Sequence, residues 1–152
     1  MANEPRKHSI YINRLKAIGK TLGFNTKPRK AVNEYYRNQY HLANPDCIWY
    51  MDVDRKLREE GIFPDDAVPV IVFEVLYSES EKAMRGSLLS LPFRNPFRGI
   101  LVLLRKDGES DQHYEDRKKY LDGLLSKTKY DNIDVWVESH VDELFERLVG
   151  GK

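Results

Sequence analysis

Cysteine is almost absent from this chain of 152 residues: Cys47 stands alone. No internal disulfide can form and no C-x-x-C metal site exists, so a cytoplasmic setting is expected. Long apolar runs are missing as well. Nothing approaches the roughly 20 residues that a membrane-spanning helix needs, and the polar stretch Met1 to His8 leads into an amphipathic segment rather than a signal-type apolar core. No membrane partner is expected. A glycine-rich loop following a strand is lacking, which argues against dinucleotide or NTP binding, and there is no G-x-S-x-G nucleophile turn. The four histidines (His8, His41, His113, His140) are dispersed, with no i, i+4 pair. Without cysteine partners they do not read as a zinc site. Cys47 itself lies in an apolar stretch, where an inert thiol is expected.

What is present is charge, unevenly spread. The formal net charge is only +1, yet residues 1 to 40 hold nine Lys or Arg against Glu4 and Glu34, a local surplus of +7. Residues 106 to 152 reverse this, with eight basic and twelve acidic side chains. A contiguous basic face would suit a phosphate backbone; a solvated helix face with scattered lysines is the plainer alternative.

Periodicity gives the elements. Apolar positions at Ile10, Ile12, Leu15, Ile18 and Leu22 predict a helix over Ser9 to Leu22, stopped by Gly23. Phe24 to Val32 contains Pro28 and reads at best as an edge strand. Cys47 to Val53 reads as a strand, Asp54 to Glu60 as a short exposed helix ended by Gly61, and Val68 to Tyr77 as a central strand covered on both faces. Ser78 with Glu81 forms a capping-box pattern that opens a helix through Leu91. Gly99 to Leu104 follows as a strand, Asp111 to Ser126 as a charged helix, Ile133 to Val137 as a strand, and Val141 to Val149 as a helix capped by Ser139 with Asp142. The order predicts one α/β domain over residues 1 to 152. A mixed central sheet is flanked by helices, because a helix between two strands favours a parallel crossover.

Two of these strands carry an acid. Alternation groups Asp46, Ile48, Tyr50 and Asp52 on one face of the first strand, and Val70, Val72, Glu74 and Leu76 on one face of the second. A carboxylate within an apolar strand costs several kcal/mol unless something receives it. If the strands are neighbours, Asp46 and Glu74 converge and offer oxygen ligands to a divalent cation. For Asp46 the competing reading is a turn cap, since Asn44-Pro45-Asp46 is good turn chemistry.

Pro45-Asp46 with Trp49, then Phe73-Glu74-Val75, then a capped helix and a further apolar strand, resembles the PD-(D/E)XK nuclease superfamily of restriction-endonuclease-like fold. The resemblance spans nearly the whole chain in element order, through short motifs. It implies that Asp46 and Glu74 hold Mg2+ (or Mn2+) at a scissile phosphodiester of DNA. It also implies that a preceding glutamate, here Glu34, could add a ligand, and that two copies could pair to cut both strands. The family's lysine two residues after the glutamate is Leu76 in this chain. Lys82, in the first turn of the following helix, is the candidate to replace it, with Arg85 facing the same cleft; an ordinary exposed lysine is the alternative. Lys27, Arg29, Lys30 and Arg37 are the candidate backbone contacts, and Tyr35, Tyr36 and Tyr40 could stack on bases. The expected function is therefore a metal-dependent DNA endonuclease of restriction or repair type. Leu76 keeps open a catalytically silent module of the same fold that binds nucleic acid or protein, and a third possibility is an unrelated α/β domain whose two acids never meet.

Overall fold

The computed structural model describes residues 3–27, 45–63, 65–90 and 97–150. Helix α1 (Asn3–Thr21) leads to β1 (Cys47–Asp52), the short helix α2 (Arg55–Glu59) and β2 (Ala67–Leu76). Then come α3 (Glu81–Ser90), β3 (Arg98–Leu103), α4 (Asp111–Ser126), β4 (Ile133–Val137) and α5 (Glu138–Phe145), which runs into a π-helical turn over Glu146–Gly150. The four strands form one sheet in the order β1-β2-β3-β4. β1 is antiparallel to β2, while β2, β3 and β4 are mutually parallel. The expected mixed α/β sheet is what the chain forms.

Alternation along the strands splits the core into two layers. Ile48, Tyr50, Val72, Leu76, Leu101 and Leu103 face one side, covered by Met84 and Leu88 of α3 and by Tyr114 and Leu121 of α4. Cys47, Trp49, Phe73, Val75, Ile100 and Val102 face the other, covered by Tyr11, Leu15 and Ile18 of α1 and by Val141 of α5. The buried stripe of α1 is therefore Tyr11, Leu15 and Ile18, while Ile10 and Leu22 stay exposed. The helix also starts at Asn3, ahead of the expected Ser9. It docks closely: the Trp49 indole N–H donates to the Leu15 carbonyl at 2.9 Å, and Gly19 has no side chain to hold the ring away.

The ladder between β1 and β2 slips by one residue between Trp49 and Tyr50, which leaves Pro69 opposite Tyr50. Proline has no N–H to donate, and Tyr50 turns its own N–H and C=O outward to Asn25 instead, at 2.7 and 3.0 Å. Among the described residues this bridge is all that the edge strand expected over Phe24 to Val32 shows, and Pro28 to Val32 lie outside them.

Two caps differ from expectation. Ser80, not Ser78, caps α3, accepting from the Ala83 N–H at 3.2 Å. Glu79 is drawn off by the Tyr77 N–H. α5 starts directly after β4 with Val137 at its cap and no side-chain bond. The anticipated Asp142 of that cap instead holds Tyr11 at 2.7 Å and Arg14 at 2.5 Å. Lys7 meets Glu138 at 2.7 Å. The basic first third and the acidic last third thus pair across the α1–α5 contact, which gives part of the charge asymmetry a structural purpose.

Candidate functional site

β1 begins at Cys47 opposite Phe73, so Glu74 to Leu76 run on past it. One step beyond the last paired position, the register sets Asp46 opposite Glu74. The two acids seen in the sequence are therefore brought to adjoining places on neighbouring strands. Glu74 is half-buried, on the layer of Val72 and Leu76.

Running past its neighbour leaves β2 with backbone groups on that edge that require partners. Asp46 accepts the Val75 N–H through Oδ2 at 2.7 Å. His8, reaching over from α1, donates through Nε2 to the Val75 carbonyl at 3.0 Å and stands 3.5 Å from the same Oδ2. The side-chain bond to Asp46 raises the His8 pKa above its ordinary value, against the opposing effect of burial. His8 was not singled out by sequence: it is an isolated histidine on a helix, with no spacing that ties it to Asp46.

The carboxyl ends of β2 and β3 are closed in the same manner. Glu79 accepts the Tyr77 N–H at 2.5 Å, and the Arg117 guanidinium donates to the carbonyls of Tyr77 and, at 3.1 Å, Leu104. Tyr114 donates to Leu103 O at 2.5 Å, Lys7 to Arg105 O at 2.7 Å, and Glu138 accepts from Arg105 N at 2.9 Å. Arg117 is itself buried against Glu109, 2.8 Å away. Burial alone would push the Glu109 carboxyl up, but the Lys106 N–H, His113 and Arg117 bring it below the usual carboxylate value. A separate cavity of about 290 Å³ lies between α3 and α4, lined by Glu79, Ser80, Met84, Lys106, Arg117 and Tyr120. It includes neither Asp46 nor Glu74.

Lys82 and Arg85 are exposed on α3, whose core-facing positions are Met84 and Leu88. Lys82 therefore points from the outward side of the helix rather than into the layer of Glu74. Leu76, at the family's lysine position, is 1% exposed within that layer. Lys27 is exposed. Arg29, Lys30, Glu34 and Arg37, like Tyr35, Tyr36 and Tyr40, lie outside the described residues.

As ligands, Asp46 and Glu74 suit a hard cation. Magnesium keeps several waters and commonly takes only one or two carboxylates. Among the described residues, no three His, Cys, Asp or Glu side chains form a metal-binding group. By donor chemistry alone, two carboxylates match a water-rich magnesium site and not a fully protein-made cage. Among the described residues no helix is long and apolar enough to cross a membrane. Comparison with known proteins finds no matching family model, no matching curated protein and no matching solved structure.

Proposed function

We propose that this chain is a magnesium- or manganese-dependent DNA endonuclease of restriction or repair type, with Asp46 and Glu74 as its metal-binding acids. The observation that supports the reading is the β1–β2 register, which, extended one step past Cys47–Phe73, sets the backbone of Asp46 beside that of Glu74 where the antiparallel and parallel parts of the sheet meet. A bound Mg2+ would supply phosphate neutralisation and a more acidic water. Asp46 and Glu74 would hold it, and Val75 N–H fixes the Asp46 carboxylate in place. Lys82 is the candidate ammonium group for the function that Leu76 cannot perform, and it would have to reach the acids from the outward side of α3. DNA is the proposed partner, with the exposed Lys27 and the segment bearing Arg29, Lys30 and Arg37 on its backbone. A homodimer is the proposed cutting form, and the cytoplasm its proposed setting.

A second reading, a silent module of this fold that binds nucleic acid or protein, draws on two observations. Leu76 is packed in the core, and one Asp46 oxygen is already bonded to Val75 N–H with His8 close by. Incubation with duplex and branched DNA in Mg2+, then in Mn2+, separates the readings. Cleavage that disappears in Asp46→Ala and Glu74→Ala, and falls in Lys82→Ala, supports the nuclease. Cleavage unchanged in either acid variant removes the mechanism. Absence of acid-dependent cleavage with both metals selects the silent module.

A further inference from the structure

We infer that His8 is the positioning residue of the Asp46–Glu74 pair, an inference that rests on the nuclease reading. The argument is geometric. Glu74 lies within β2, while Asp46 stands one residue ahead of β1, past the end of the β1–β2 ladder. Between them stands the backbone of Val75, the residue that follows Glu74. Its N–H is held by Asp46 at 2.7 Å and its C=O by His8 at 3.0 Å, with His8 Nε2 3.5 Å from the same Asp46 oxygen. His8 thus touches both the residue that follows one acid and the carboxylate of the other, and it does so from a helix anchored elsewhere by Trp49, Asp142 and Glu138. Groups that orient metal-binding carboxylates in this way commonly matter about 10–100-fold in metal affinity.

Lys7 supplies the control. It anchors the same turn of α1, to Arg105 O and Glu138, and neither contact involves Asp46. If His8 merely fastened the helix, removing Lys7 should have the same consequence at the acids.

The test is a Mn2+ titration of the full chain, followed by paramagnetic resonance of the free ion and by calorimetry, with circular dichroism as the check on folding. Wild type should bind saturably, and Asp46→Asn and Glu74→Gln should not. His8→Ala should bind about ten-fold more weakly or worse, while Lys7→Ala binds as wild type. His8→Gln, whose amide can still donate to Val75 O, should bind more tightly than His8→Phe, which keeps bulk without a donor. That comparison decides the matter if the alanine variant fails to fold. Equal or tighter binding by His8→Ala, equal binding by the Gln and Phe variants, or an equal loss in Lys7→Ala overturns the inference while leaving the nuclease reading intact. Wild type that binds no Mn2+ through its two acids overturns both.

Discussion

Replacing Gly19 by alanine should destabilise the protein, although a glycine within a helix usually invites the opposite. The intrinsic gain from glycine to alanine in a helix interior is about 1 kcal/mol. Against it stands the Trp49 ring: a Cβ at position 19 would lie 2.5, 2.7 and 2.8 Å from its Nε1, Cδ1 and Cε2 atoms, where carbon atoms prefer roughly 3.5–4.0 Å. The ring cannot retreat freely, being 3% exposed and flanked by Phe24 at 5.3 Å and Phe73 at 4.7 Å between ring centres. Overpacking of this kind costs about 1–3 kcal/mol, and a displaced indole also forfeits its bond to Leu15 O, worth about 1 kcal/mol. The expected net loss is about 1–3 kcal/mol, or roughly 3–10 °C in Tm for a chain of this size. Gly86→Ala is the matched control, since that helical position has nothing within 4 Å of a new Cβ and should gain up to about 1 kcal/mol. Thermal unfolding followed by circular dichroism and tryptophan fluorescence reads both. Gly19→Ala as stable as wild type would refute the close docking of α1 on Trp49, and with it the support beneath His8.

Arg117→Leu should cost about 3–5 kcal/mol in urea unfolding, because it removes the buried guanidinium from Glu109 and from the Tyr77 and Leu104 carbonyls; a loss below 1 kcal/mol would show that the pair is not buried. Glu109 also sets an acid limb. Its folded pKa lies below the ordinary value of 4.5, so its contribution is complete above that value and disappears as pH falls through the lower folded one. Glu109→Gln should therefore flatten the stability profile below pH 4.5, and an unchanged acid slope would count against the linkage. Cys47, whose thiol burial pushes up to about 12, should resist alkylation at pH 8 until the protein is denatured; prompt labelling of folded protein would contradict its burial.

Strands and helices were legible in this sequence wherever one period dominated. Val68 to Tyr77 is apolar at nearly every position, and it forms the central strand over Ala67–Leu76. Asp111 to Ser126 forms its helix over the expected residues, because Ser110 caps one end. The caps of α3 and α5 were less readable. Ser78 and Ser80 are chemically equivalent as caps, and Ser80 takes the role because α3 begins at Glu81, directly after it. Asp142 fits a capping pattern locally but has a stronger partner in Arg14, 128 residues away in the chain. The strands that carry or adjoin Asp46 and Glu74 were readable from alternation, a short-range pattern, whereas their adjacency is a property of the assembled sheet. His8 and Arg117 were not readable, since each serves a carbonyl whose need for a donor exists only after the strands have assembled.

That need accounts for where the candidate site lies. Open α/β sheets usually offer ligands the carboxyl ends of their parallel strands, at a point where strand order or direction changes. Here the ends of β2 and β3 are closed by Arg117, Tyr114, Lys7 and Glu138, which bond their terminal carbonyls and amides. The change of direction falls between β1 and β2, and because β1 starts one residue beyond Asp46, the Val75 backbone is left to side chains. An unpaired buried peptide group costs about 1–3 kcal/mol, so folding itself recruits an acid to the N–H and an imidazole to the carbonyl. The same recruitment holds the Asp46 carboxylate on the backbone of the residue next to Glu74. On this argument Asp46 is held by the requirements of the sheet, and the metal chemistry proposed for it builds on a contact that the fold already maintains.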